Sequence, residues 1–68
     1  MLSAREIDVL TALSQGYTYE EIAMRLDISI NTVTSHIKNA YRKLGVRSAA
    51  AAVMRAIELR LLDPGEIT

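Results

Sequence analysis

Asn31, Thr32, Thr34, Ser35, Lys38, Asn39 and Arg42 place seven polar or cationic side chains within twelve consecutive positions. Amides and hydroxyls donate and accept hydrogen bonds, and the two cations bind oxygen acceptors. Held on a helix inside the major groove of a duplex, such groups serve base edges and phosphates. A Ser or Thr hydroxyl suits either, and a Lys ammonium reaches guanine O6 or N7. No catalytic arrangement competes with this chemistry. The chain has no Cys, which excludes disulfides and thiolate metal sites, and its one His is His36. His36 has no visible partner ligands and is read as a packed or hydrogen-bonded residue, with a direct phosphate contact as the alternative. Glu6 stands without a second catalytic group and is read as a helix cap or ion-pair partner. No enzyme activity, metal or cofactor is expected.

For those seven residues to face outwards, others must face inwards. Val33, Ile37, Ala40 or Tyr41, and Leu44 recur at helical spacing and form the core stripe of a helix over about 30–44, capped by Ser29 and ended by Gly45. Ahead of it, Thr18 and Glu21 have capping-box spacing and open a short helix over about 19–26, with Ile22, Ala23 and Leu26 on one face. Asp27 and Ile28 form the turn, and the small Ala23 allows the two helices to cross closely. This is helix-turn-helix spacing, with the N-terminal half of the second helix as the end that enters the groove. Ser3 and Glu6 repeat the capping box for a first helix over about 4–15, carrying Val9, Leu10 and Leu13, with Leu2 as a hydrophobic staple and Gly16 as the stop. Ser48 caps a fourth helix over about 49–61, and Pro64-Gly65 closes the domain. No segment alternates as a strand would. The fold class is all-α, four helices in a single domain spanning 1–68.

The formal net charge is zero, which by itself argues against a nucleic-acid partner. Its distribution argues otherwise. Residues 25–47 hold Arg25, Lys38, Arg42, Lys43 and Arg47 against Asp27, while the flanking segments are net acidic. Arg25 and Arg47 are read equally as backbone-phosphate contacts or as solvated charges. No apolar run approaches the ~20 residues of a membrane span and no signal-peptide pattern opens the chain, so a cytoplasmic protein is expected.

The fourth helix carries two apolar stripes. At about 100° per residue, Ala49, Ala52, Val53, Ala56 and Leu59 cover one arc, and Ala50, Met54, Ile57 and Leu61 lie roughly opposite. One stripe serves the domain's own core. The other needs a partner, read as a second copy meeting it about a two-fold axis; burial against a neighbouring domain or the chain's own tail is the alternative.

Taken together, L-S-A-R-E-I-D-V-L, G-Y-T-Y-E-E-I-A, I-S-I-N-T-V-T-S-H-I-K and K-L-G-V-R-S-A-A-A-A-V resemble the LuxR/FixJ-type (GerE-like) DNA-binding domain of bacterial transcription regulators, from Leu2 to Val53. The resemblance implies four helices and sequence-specific binding of double-stranded DNA. It implies Thr34, Ser35 and Lys38 as base readers, and Thr32, Asn39 and Arg42 as phosphate or edge contacts. It also implies a homodimer through helix four on a pseudopalindromic site, and a place as the C-terminal domain of a larger regulator. That regulator would carry an N-terminal receiver or ligand-binding domain, with RNA polymerase as a further partner. Thr34 stands where the family usually has Lys, Tyr19-Glu20 replaces a commoner Asn-Lys pair, and Ala49 sits where many members carry Arg. Each departure lowers the cationic count and should reduce affinity and its salt dependence. Two rivals are a promoter-binding domain like region 4 of a bacterial sigma factor, disfavoured by the alanine-rich fourth helix, and a helical dimerisation module with little DNA binding.

Overall fold

A hydroxyl cap opens each helix, and a left-handed residue just past its end turns the chain away. The computed structural model describes residues 1–62. It contains α1 (Ala4–Ser14), α2 (Tyr19–Leu26), α3 (Ile30–Leu44) and α4 (Ala49–Glu58), with no strand among the described residues. Ser3, Thr18, Ser29 and Ser48 are the N-caps, each in extended conformation and each accepting from the third helical amide. Both expected capping boxes form. The Glu6 carboxylate accepts from the Ser3 amide at 2.8 Å and that of Glu21 from the Thr18 amide at 2.9 Å. Such a cap contributes about 1 kcal/mol, which matters for the eight residues of α2, too few to hold a helix alone in water.

At the other ends, Gly16, Asp27, Gly45 and Arg60 all have positive φ, between 56° and 92°. The amide after each runs back five residues: Tyr17 to the Ala12 carbonyl, Ile28 to Ala23, Val46 to Tyr41 and Leu61 to Ala56. This is the Schellman closure, repeated four times. Two of its four pivots are not glycine, and at one of them the sequence reading misses. The fourth helix does not run to Leu61; it stops at Glu58, with Leu59 as cap and Arg60 left-handed. Leu59 is consequently exposed, not part of the core arc, and Leu62 turns back into the core instead. The first helix ends at Ser14, with Gln15 as its cap. The Pro64-Gly65 stop lies outside the described residues.

α1 packs on α2, α3 and α4, and α3 is the second hub, touching all the others. Two clusters make up the interior. One joins α1, α2 and α3 through Val9, Ile22, Ala23, Val33 and Ile37. The other joins α1, α3 and α4 through Leu2, Leu10, Ala40, Leu44, Ala52, Ala56 and Leu62. Ala40, not Tyr41, fills the third position of the α3 stripe; Tyr41 is half-buried between both clusters. Ala40, Ala52 and Ala56 are almost completely buried, so α4 lies close against α3. A larger residue at any of the three would overpack that contact, at about 1–3 kcal/mol.

The second stripe expected on α4 divides. Ala50 and Met54 are exposed, Met54 by 63%. Ile57 and Leu61 are partly buried against the domain's own core. For Leu61 the early end of α4 is the reason, because the residue lies past the helix and packs against the core from the turn, whereas Ile57 is still within α4.

Candidate nucleic-acid interface

α3 is fixed by its buried row Val33, Ile37, Ala40 and Leu44, and opposite that row lie Asn31, Ser35, Lys38 and Arg42, all exposed. Thr32, Thr34 and Asn39 sit half-buried on the flanks. The seven residues therefore share one helix and divide by what their polar atoms are already doing. The Ser29 hydroxyl accepts from the Thr32 amide at 3.1 Å and shares a 2.8 Å hydrogen bond with the Thr32 hydroxyl. The Thr34 hydroxyl donates to the Ile30 carbonyl at 3.1 Å. The Arg42 guanidinium donates to Asn39 Oδ1 at 2.9 Å, so these two act as a pair. Asn31, Ser35 and Lys38 carry no side-chain hydrogen bond or ion pair among the described residues.

The two helix starts near this face differ in charge. α2 has Glu20 and Glu21 in its first turn, whereas α3 has no acidic residue there. With the macrodipole concentrating positive potential at a helix start, an anion is favoured at the beginning of α3 over that of α2.

The remaining cations of the basic segment have separate fates. Lys43 donates to the Glu6 carboxylate at 2.9 and 3.2 Å, tying the end of α3 to the start of α1. Arg25 lies over the Tyr17 ring, 4.2 Å from its centroid, which fixes its position without cancelling its charge. Arg47 is exposed. Burial, and then the neighbouring Tyr19 side chain, push the Tyr41 phenol above its ordinary value of 10.0. His36 is half-buried. No group of three or more His, Cys, Asp or Glu side chains that could hold a metal occurs among the described residues. Nor is any described helix long and apolar enough to cross a membrane.

Residues 1–56 match the family described as bacterial regulatory proteins, luxR family. The chain belongs to the LuxR family. Among its relatives, this LuxR-family domain is 47% identical over 64 residues to the transcriptional activator protein ExpR of Pectobacterium parmentieri, covering 94% of this chain and 26% of ExpR. It is 44% identical over 63 residues to the probable transcriptional regulatory protein NarL of Mycobacterium tuberculosis, covering 93% of this chain and 29% of NarL. The domain thus spans under a third of the length of these relatives. Among solved structures, the response regulator ChrA of a heme-sensing two-component system superposes with a TM-score of 0.87 at 44% identity, over 91% of this chain and 31% of ChrA. The transcription factor GerE superposes at 0.82 and 33% identity, over 98% of this chain and 92% of GerE. The all-α, four-helix reading and the family resemblance both hold, and the domain is of the DNA-binding, transcription-regulating class.

Two features of the LuxR-family domain escape a sequence reading. Nothing local marks Lys43 as the partner of Glu6, because 37 residues separate them. Nor does the sequence single out Ile30, which is 46% exposed at the first position of α3.

Proposed function

We propose that this domain binds double-stranded DNA sequence-specifically with α3 in the major groove, as a dimer paired through α4, within a cytoplasmic transcription regulator. The observation that carries the reading is the outward face of α3, where Asn31, Ser35 and Lys38 present unpaired polar groups among the described residues. Lys38 is the strongest base reader of the three, suited to guanine O6 and N7, with Ser35 and Asn31 serving base edges beside it. Thr32, with its hydroxyl held in the cap, and the Asn39–Arg42 pair suit phosphate or groove-edge contact. Thr34 completes the face. One copy places few cations on the duplex, so affinity rests on pairing two copies across a pseudopalindromic site.

The dimer surface centres on Ala50 and Met54, which with Leu13, Ala49 and Val53 border a shallow apolar hollow between α1 and α4. Ile57 and Leu61, partly buried against the domain's own core, contribute less to that face. Because ExpR and NarL are several times longer than this chain, we place the domain at the C-terminal end of a regulator. An N-terminal receiver or ligand-binding domain supplies the signal, and RNA polymerase is its further partner.

Fluorescence anisotropy with randomised and selected duplexes, titrated across salt, tests this reading. Wild type should bind selected duplexes at low salt. Lys38→Ala should weaken that binding by about tenfold and relax base preference at one position. If wild type and Lys38→Ala bind equally weakly at low salt, α3 is not the reading helix and the domain is a pairing module.

A further inference from the structure

Ile30 opens α3 with an apolar side chain 46% exposed, whereas Ile22 and Ile37 are buried and Ile28 is half-buried. Single exposed apolar residues are commonplace on protein surfaces, so position has to decide what this one means. Ile30, Thr34 and Lys38 follow one another at intervals of four residues, each about 40° around and about 6 Å along the helix from the last. The row thus leads from the flank at the groove-entering end of α3 onto the exposed face that holds Lys38. Thr34 shares the apolar character of Ile30 more than its name suggests. Its hydroxyl hydrogen is spent on the Ile30 carbonyl at 3.1 Å, leaving a methyl group and oxygen lone pairs for a ligand. The first two turns of the row therefore offer methyl groups, and the third offers an ammonium.

We propose that Ile30, supported by Thr34, is a specificity-determining residue that recognises the C5-methyl of a thymine in the major groove. The inference rests on the proposed placement of α3. Thymine is the one base that presents a methyl group there, and short apolar side chains are its natural partners. An isoleucine cannot satisfy the polar edges of the other bases, so its contact both favours thymine and penalises an unmet donor or acceptor. Lys38 then takes a guanine further along the same row, and the two contacts set a thymine and a guanine at a fixed spacing in each half-site.

The test replaces thymine by deoxyuridine, which removes the methyl group and leaves the pairing edge unchanged. Duplexes are first selected from a randomised pool on the 68-residue chain at low salt, and each thymine of the selected half-site is then replaced in turn. Deoxyuridine at one position should weaken wild-type binding by about fourfold, the worth of one buried methyl group. Ile30→Ala should bind the thymine and deoxyuridine duplexes alike while keeping its guanine preference. The wild-type comparison needs no variant, so it stands even if a substitution disturbs the helix start. A selected site at which no thymine can be told from deoxyuridine, or an Ile30→Ala variant that keeps the wild-type ratio, overturns this inference and leaves α3 as the reading helix. Failure to select any duplex overturns the DNA reading and this inference with it.

Discussion

Glu6 shows how a single carboxylate sets the position of α3 from a distance. It is 4% exposed, and burial of a charge without partners would drive it to neutrality. Burial does push its pKa up, but the Ser3 amide, the Lys43 ammonium and the Ser3 hydroxyl outweigh that and hold it below the ordinary value of 4.5. Lys43 is more than a third exposed, so water screens its half of the pair. A carboxyl depressed in the folded state stabilises the protein at pH above its unfolded value, and that contribution is lost as pH falls through the folded value. Glu6→Gln should therefore cost about 1–3 kcal/mol at pH 7 and show a flatter loss of stability below pH 4.5 than wild type, read as urea midpoints against pH. Parallel curves would assign the acid sensitivity elsewhere. The exposed pairs Arg5–Asp8 at 3.7 Å and Arg55–Glu58 at 3.9 Å are weak candidates for that role, since such pairs contribute little. The capping half of the Glu6 role is legible in the Ser3-to-Glu6 spacing. The Lys43 half is not, because only the packing of α1 on α3 brings the two together.

The beginnings of the helices are legible for the same reason their ends are only half so. A Ser or Thr cap is a side-chain chemistry, and all four are written in the sequence at Ser3, Thr18, Ser29 and Ser48. A left-handed stop is a backbone conformation, announced by glycine at Gly16 and Gly45 and by the turn read at Asp27-Ile28, but silent at Arg60. Asp tolerates that region through local hydrogen bonding, whereas Arg has no such excuse. At Arg60 the pull comes from tertiary structure: Leu62 reaches the core beside Ala52 and Ala56 only if the chain turns there. Of the seven residues on α3, the sequence places each on the right helix, yet it cannot show which hydroxyls the fold has already used. Two substitutions separate backbone cost from packing. Gly45→Ala meets nothing within 4 Å, so its expected loss of about 1–2 kcal/mol comes from the left-handed conformation alone. Arg60→Gly relieves the same conformation and should raise stability by up to about 1 kcal/mol after the entropy of the more flexible unfolded chain is deducted, read as a higher urea midpoint. A lower midpoint for Arg60→Gly would mean that the arginine side chain, not the turn, stabilises this end.

At the scale of the whole domain, small size and a formal net charge of zero both favour the proposed pairing. A domain of this length buries only ~60% of the surface its unfolded chain exposes, and its neutral total leaves attraction to DNA to the few cations clear of internal partners. Pairing two copies raises effective affinity without adding a contact to either. In the proposed dimer it would also cover the apolar hollow between α1 and α4 that Ala50, Val53 and Met54 border. Met54→Glu places a charge on that face at a position 63% exposed in the single copy, so the helix should keep its far-UV signal. The dimer dissociation constant should rise at least tenfold in sedimentation equilibrium, a change of about 1.4 kcal/mol. Leu61→Ala should behave in the opposite manner, lowering the urea midpoint because Leu61 packs on the domain's own core and shifting pairing far less. If wild type and Met54→Glu sediment identically at all concentrations, the hollow is not the pairing face. The apolar surface of α4 then belongs against another domain of a longer regulator, and the symmetry of the DNA site must come from elsewhere in that protein.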